Sequence, residues 1–170
     1  MSNTLKTVWG FIISMLAKYT PIKIEGKTLD RIYNYLPIDE SLVTSGQPSE
    51  RQFEMIQAAG FQHVVNLAPH QAENSLPDEA GLLAGMGITY THIPVDFKDP
   101  TDADYAEFVQ TLNGLREQKV WVHCAANMRV SAFMYRYRTS ELGVAEAQAQ
   151  LDLHKIWEPY GVWRAFIASK

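Results

Sequence analysis

The sequence predicts an α/β layer fold with a mainly parallel central sheet flanked by helices, plus an extra amphipathic helix at the N-terminus. Three observations predict it. From residue 42 onward, short apolar runs alternate with helix-patterned segments, the order that produces parallel strands joined by crossovers. Glycines at Gly60, Gly87 and Gly143 punctuate the helix ends. One apolar strand, Lys119-Val120-Trp121-Val122-His123, runs into a small-residue turn and then a helix. That turn falls at the carboxyl edge of the sheet, where open α/β sheets keep their ligand sites.

Taken in order, Leu5, Val8, Trp9, Ile12, Leu16 and Tyr19 recur at helical spacing. They predict a helix over residues 3–19 that packs on the domain or a partner, ended by Pro21 and Gly26. Its apolar run is too short to span a bilayer, and Met15-Leu16-Ala17 makes a poor signal-peptide cleavage site. A peripheral membrane contact is the lesser alternative. The expected division is a helix and linker at 1–25 and one α/β domain at 26–170.

Residues 32–36 and 42–45 read as short strands around a turn. Thr44-Ser45-Gly46-Gln47-Pro48 is a loop, and Ser49 with Gln52 forms a capping box for a helix over 50–59. Residues 63–68 form a buried strand, followed by a long polar loop at 69–77. Pro77-Asp78-Glu79 opens a helix with acids at its positive end. A strand over 88–95 and a charged loop lead to Thr101, which caps a helix over 102–118. After the central strand come helices over 130–142, 145–157 and 160–168, the second broken at Pro159.

Composition sets the bounds. A chain of 170 residues with 46% hydrophobic content supports one domain with an ample core. A net charge of −4 gives no sign of a general nucleic-acid or anionic-membrane binder. The single cysteine excludes an internal disulfide and a multi-cysteine metal site, and neither metal nor cofactor is implied. A thiol that must stay reduced suits a cytoplasmic location.

That cysteine, Cys124, sits at the strand end, and Arg129 follows at the start of the next helix. A cation there is unfavourable unless an anion is bound. The backbone N–H groups of Ala125, Ala126, Asn127, Met128 and Arg129 are expected to converge on one spot. Arg129 adds a planar fork suited to oxyanions, and the same positive field favours the thiolate of Cys124. We read Cys124 as a nucleophile and the loop as its oxyanion cradle. The alternative is an inert buried cysteine.

The stretch His123-Cys124-Ala125-Ala126-Asn127-Met128-Arg129-Val130-Ser131 resembles the cysteine-phosphatase signature of His-Cys, a short loop, Arg, then Ser or Thr. Four residues separate Cys124 from Arg129, one fewer than in the common form, and rhodanese-type sulfurtransferases carry the shorter loop too. Asn127 stands where glycine is usual, and Asn tolerates the left-handed backbone. Thr44-Ser45-Gly46-Gln47-Pro48, Val65-Asn66-Leu67, Tyr90-Thr91-His92-Ile93-Pro94-Val95-Asp96 and the cysteine loop occur in order. Together they resemble a bacterial phosphatase family related to dual-specificity and protein tyrosine phosphatases, which also occurs fused to sulfur-metabolism enzymes. The resemblance spans about residues 40–150 and implies fold and chemistry, not substrate.

It also implies roles. Cys124 forms a phosphocysteine while Arg129 and the amides of residues 125–129 hold the equatorial oxygens. Ser131 either hydrogen-bonds the sulfur or packs within its helix. His123 orients the loop. Related phosphatases take a proton from an Asp before the cysteine strand. Asp96, at a strand end, is favoured over Asp99, because strand ends fix side chains better than loop tips. Asp102 and Asp104 read as helix first-turn acids. Gln47, His70, Glu73 and Asn74 are candidates for the pocket rim, His92 is structural, and Arg136 and Arg138 read as surface charges.

Three functions fit. The first is hydrolysis of a phosphomonoester, protein-bound or small. The second is rhodanese-like sulfur transfer through a Cys124 persulfide, which the tight loop favours. The third is a non-catalytic phosphate-binding module. The motif order favours the phosphatase. The expected partner is a phosphorylated substrate or an inorganic oxyanion, with no nucleic acid and no integral membrane span.

Overall fold

The computed structural model describes residues 3–18 and 28–169. Five strands form one sheet: β1 (Leu36–Pro37), β2 (Leu42–Ser45), β3 (His63–Asn66), β4 (Thr89–His92) and β5 (Val120–His123). Their spatial order is β1-β2-β5-β3-β4; all pairs are parallel except β1 with β2. The helices are α1 (Asn3–Lys18), α2 (Glu50–Ala58), α3 (Glu79–Gly85), α4 (Asp102–Gly114), α5 (Met128–Ser140), α6 (Glu146–Ile156) and α7 (Val162–Ala168). The α/β layer expected from the sequence is the fold observed.

The sheet explains the sequence of its central strand. β5 lies between β2 and β3, and all its residues are buried, so no polar alternation is needed. Successive side chains point to opposite faces. Val120 and Val122 meet Phe108, Phe133 and Trp163 in one core, while Trp121 joins Phe53, Ile56 and Phe61 in the other.

Register places the site. Ser45 and Asn66 both pair with His123, and Asn66 also pairs with His92. Four parallel strands therefore end level, and Cys124 is the first residue beyond the central one.

Local signals act as expected at most helix ends. Ser49 and Gln52 form the capping box of α2, and Thr101 with Asp104 forms that of α4. Gly60 and Gly143 follow their helices with positive φ angles of 84° and 65°.

Three expectations need correction. Residues 32–36 do not form a strand: a 3-10 turn at Leu29–Arg31 leads into Asn34, whose φ is 50°, and only Leu36–Pro37 pairs. A left-handed residue cannot continue an extended ladder. Arg136 and Arg138 are buried, not surface charges. Arg136 lies over Tyr105, with its guanidinium carbon 4.0 Å from the ring centroid, and pairs with Asp102; Arg138 pairs with Asp152. In α1 only part of the expected apolar stripe packs on the domain: Leu5 and Trp9 are exposed, Val8 reaches the cavity described below, and Thr7, outside the stripe, is buried. Thr7 Oγ1 donates to the Ile156 carbonyl, Asn3 Nδ2 to the His154 carbonyl, and the Glu158 N–H to Thr4 Oγ1. These polar groups fasten α1 to the end of α6. The expected helix stop at Pro21 and Gly26, Tyr19 and the division near residue 25 lie outside the described residues. No helix among the described residues is long and apolar enough to cross a membrane.

Candidate active site

The turn after β5 is shaped by what its carbonyls do. The Ala125 carbonyl accepts from the Asn74 side chain at 2.9 Å and from the Gln47 N–H at 3.3 Å. The Ala126 carbonyl accepts from Asn34 Nδ2 at 2.9 Å. Neighbouring segments thus hold these carbonyls. α5 begins at Met128, and the first N–H groups of a helix have no intrahelical acceptor.

Asn127 takes the left-handed backbone expected of it, with φ 62° and ψ 2°. Its side chain donates to the Asn34 carbonyl and to Thr44 Oγ1. Gly46, in the Ser-Gly-Gln-Pro segment, approaches too closely to carry a side chain. A Cβ there would lie 2.6 Å from a Tyr33 ring carbon and 3.2 Å from the Ala125 carbonyl oxygen.

Cys124 is buried, yet it lines a cavity of about 290 Å³ together with Ala125, Ala126, Met128 and Arg129. Phe97 and Tyr160 contribute aromatic walls, Ala72 and Glu73 come from the 69–77 loop, and Val8 and Phe11 from α1. Arg129 is held from behind: its Nε donates to the Val95 carbonyl at 2.9 Å, and its guanidinium lies over the Phe97 ring. Burial, and then the negative charge of nearby Cys124, push the Tyr33 phenol above its ordinary pKa.

The remaining expected residues separate. Asp96 follows Val95 directly and is exposed, with Oδ1 accepting the Lys98 N–H. Asp99 is also exposed. Neither lines the cavity. Ser131 Oγ donates to the Met128 carbonyl and accepts from the Trp157 indole. Asp104 serves the α4 cap and Asp102 pairs with Arg136. His92 Nε2 meets the Ala68 carbonyl and its ring stacks on Tyr90.

Sequence reasoning missed Glu79 as part of the site. Its carboxylate is buried behind the cysteine loop, 3.0 Å from His123 Nε2. Asn66 and Gln47 donate to it as well. Burial pushes its pKa up, but the His123 charge and these hydrogen bonds outweigh that and hold it at about 2. It also missed Phe97, an aromatic in a charged loop, and Asn34, hidden inside an apparent strand. Among the described residues no cluster of side chains fits a metal ion.

The family model for a DSP-PTPase phosphatase fused to NAD+ kinase matches residues 14–158. A DUF442 phosphatase-like protein of Shewanella putrefaciens CN-32 is 32% identical, with a TM-score of 0.74 over 82% of this chain and 91% of that one. The core catalytic domain of the PP-IP phosphatase SIW14 of S. cerevisiae, solved with citrate, shares the fold at 11% identity, with a TM-score of 0.67 over 80% of this chain and 84% of that one. A beta-lactamase hydrolase-like protein of Agrobacterium fabrum is 32% identical over 95 residues, 54% of this chain and 22% of that protein. The match thus spans about a fifth of that curated relative's length. The chain belongs to the family of DSP-PTPase phosphatases described as fused to NAD+ kinase.

Proposed function

We propose that the protein hydrolyses a phosphomonoester, carried on a protein or a small molecule, through a phosphocysteine on Cys124. The observation that carries this reading is that Cys124 and Arg129 line one cavity whose floor is the turn after β5. The Cys124 thiolate attacks phosphorus, the S–P bond forms, and the ester P–O bond breaks. Arg129 and the N–H groups of residues 125–129 hold the equatorial oxygens, where charge gathers in the transition state. Water then attacks phosphorus, and the thiolate leaves with its electron pair.

The leaving oxygen needs a proton. Asp96 is our candidate donor, because it stands between Val95, which anchors Arg129, and Phe97, which walls the cavity. It returns as the base that activates water. Ser131 has no part in sulfur chemistry in this scheme, since its hydroxyl is held by Met128 and Trp157.

The test compares an aryl phosphate with thiosulfate plus cyanide as substrates. Phosphate release by the wild type, abolished in Cys124→Ser and reduced at least about a hundredfold in Arg129→Ala, is the expected result. Thiocyanate formation without phosphate release would replace this reading with sulfur transfer. Vanadate binding without turnover would leave a binding module.

A further inference from the structure

Val8 and Phe11 make α1 a wall of the catalytic cavity, although both lie ahead of residue 14, where the family match begins. The helix is built into that position. Buried Thr7 anchors it: Oγ1 donates to the Ile156 carbonyl and accepts from Asn34 Nδ2 at 3.3 Å, and the Thr7 carbonyl accepts from the Tyr33 hydroxyl. Asn34 Nδ2 also donates to the Ala126 carbonyl, so one side chain joins α1 to the cysteine loop. Gly10 lets the helix backbone close on Tyr33, since a Cβ there would lie 2.6 Å from a ring carbon. Glycine weakens a helix interior, and here the close approach accounts for it.

The wall is apolar. Val8, Phe11, Phe97, Met128 and Tyr160 line the cavity with Cys124 and Arg129. Among the described residues that line it, Arg129 is the only lysine or arginine, and Glu73 adds a carboxylate. One cation matches one phosphate group. A second phosphate would meet hydrocarbon and a like charge.

The same surface continues outside the cavity. Leu5, Val8, Trp9 and Ile13 share one helix face by their spacing, and all four are exposed, Trp9 by 60%. Val8 belongs to both surfaces, lining the cavity while 42% exposed. Single apolar residues on a surface are ordinary, but a contiguous stripe leading into a catalytic cavity marks a binding surface. A peptide lying along it would need partners for its backbone N–H and C=O groups, and apolar side chains supply none. Acyl chains need none. Trp and Leu on one face, with exposed Lys6 beside them, suit the boundary between lipid headgroups and hydrocarbon. Such contact is apolar and needs no positive net charge.

We propose that the substrate is a lipid phosphate, an acyl-bearing alcohol with a single phosphomonoester, taken from a membrane surface on which the exposed stripe of α1 rests; the proposal deepens the phosphatase reading and depends on it. The phosphate enters between Cys124 and Arg129, Val8 and Phe11 contact the alcohol beside it, and Leu5, Trp9 and Ile13 lie among the acyl chains.

The test offers the wild type an aryl phosphate, phosphatidic acid diluted into phosphatidylcholine vesicles, a phosphotyrosine peptide and a multiply phosphorylated inositol. The kcat/KM on the vesicles is expected to exceed that on the peptide and the inositol at least about tenfold. Trp9→Asp and Ile13→Asp are each expected to lower vesicle turnover about tenfold more than aryl phosphate turnover, and to weaken co-sedimentation with the vesicles. Neither residue takes part in the hydrogen bonds that seat α1, and if one variant fails to fold the other decides. Preference for the peptide or the inositol would overturn the proposal, as would aspartate variants that lower both activities equally. Self-association broken by these variants, with vesicle turnover unchanged, would make the stripe a contact between two copies and overturn it too. Phosphate released from the aryl ester but not from the vesicles refutes this proposal alone. Failure of the phosphatase reading shows separately, as no phosphate from any of the four.

Discussion

Asn34 and Asn127 clasp each other at the base of the cysteine loop. Asn127 Nδ2 donates to the Asn34 carbonyl at 2.7 Å, and Asn34 Nδ2 donates to the Ala126 carbonyl, next to Asn127 in the chain, at 2.9 Å. Among the described residues these are the two non-glycine positions with positive φ. Each holds the other in a backbone shape that most side chains resist, and the loop is the product.

Asn127→Ala therefore loses the clasp and strains the turn, for an expected loss of about 2–4 kcal/mol. Asn127→Gly relieves the backbone but not the missing hydrogen bonds, and should lose about half as much. Urea unfolding measures both. The activity of the glycine variant also falls, because the loop keeps its path without its brace.

Gly46→Ala tests the close approach of the Ser-Gly-Gln-Pro segment. The new methyl meets Tyr33 and the Ala125 carbonyl, and neither is free to yield: the Gly46 N–H donates to the Tyr33 carbonyl at 2.7 Å, and Gln47 binds the Ala125 carbonyl. The expected destabilisation is about 1–3 kcal/mol. A crystal structure of the variant should show the cysteine loop displaced.

Acid stability follows from Glu79. Its carboxyl is held at about 2, against an ordinary value of 4.5. A carboxylate with a depressed pKa stabilises the fold above its ordinary pKa and loses that contribution as pH falls through the folded value. The protein should therefore lose roughly 3 kcal/mol between about pH 4.5 and pH 2 from this group alone. Glu79→Gln lacks the titration, so its unfolding free energy is lower at neutral pH and varies less over that window. Chemical denaturation at a series of pH values checks both.

Much of the site was legible because its causes are local. A continuous apolar strand, a lone cysteine and an arginine at a helix start fall within a few residues of one another. The Ser49 and Thr101 caps were legible for the same reason. Asn127 was too, since its side chain type announces the backbone it tolerates. Glu79 was not. Two acids opening a helix look alike in sequence, and which one turns inward depends on His123, 44 residues away. Arg136 was misread because charged residues are exposed by default, and its partner Asp102 lies 34 positions earlier. Asn34 defeated the strand pattern because its hold comes from the loop it braces, 93 residues on.

The most direct measurement is capture of the phosphoryl group on sulfur. Wild-type protein and Asp96→Asn, the variant in which the proposed mechanism expects slower hydrolysis of the intermediate, are mixed with an aryl phosphate, quenched in acid and mapped by mass spectrometry. A phosphoryl adduct on Cys124, enriched in Asp96→Asn and absent from Cys124→Ser, is the predicted result. Phosphate release that persists undiminished in Cys124→Ser would contradict the account.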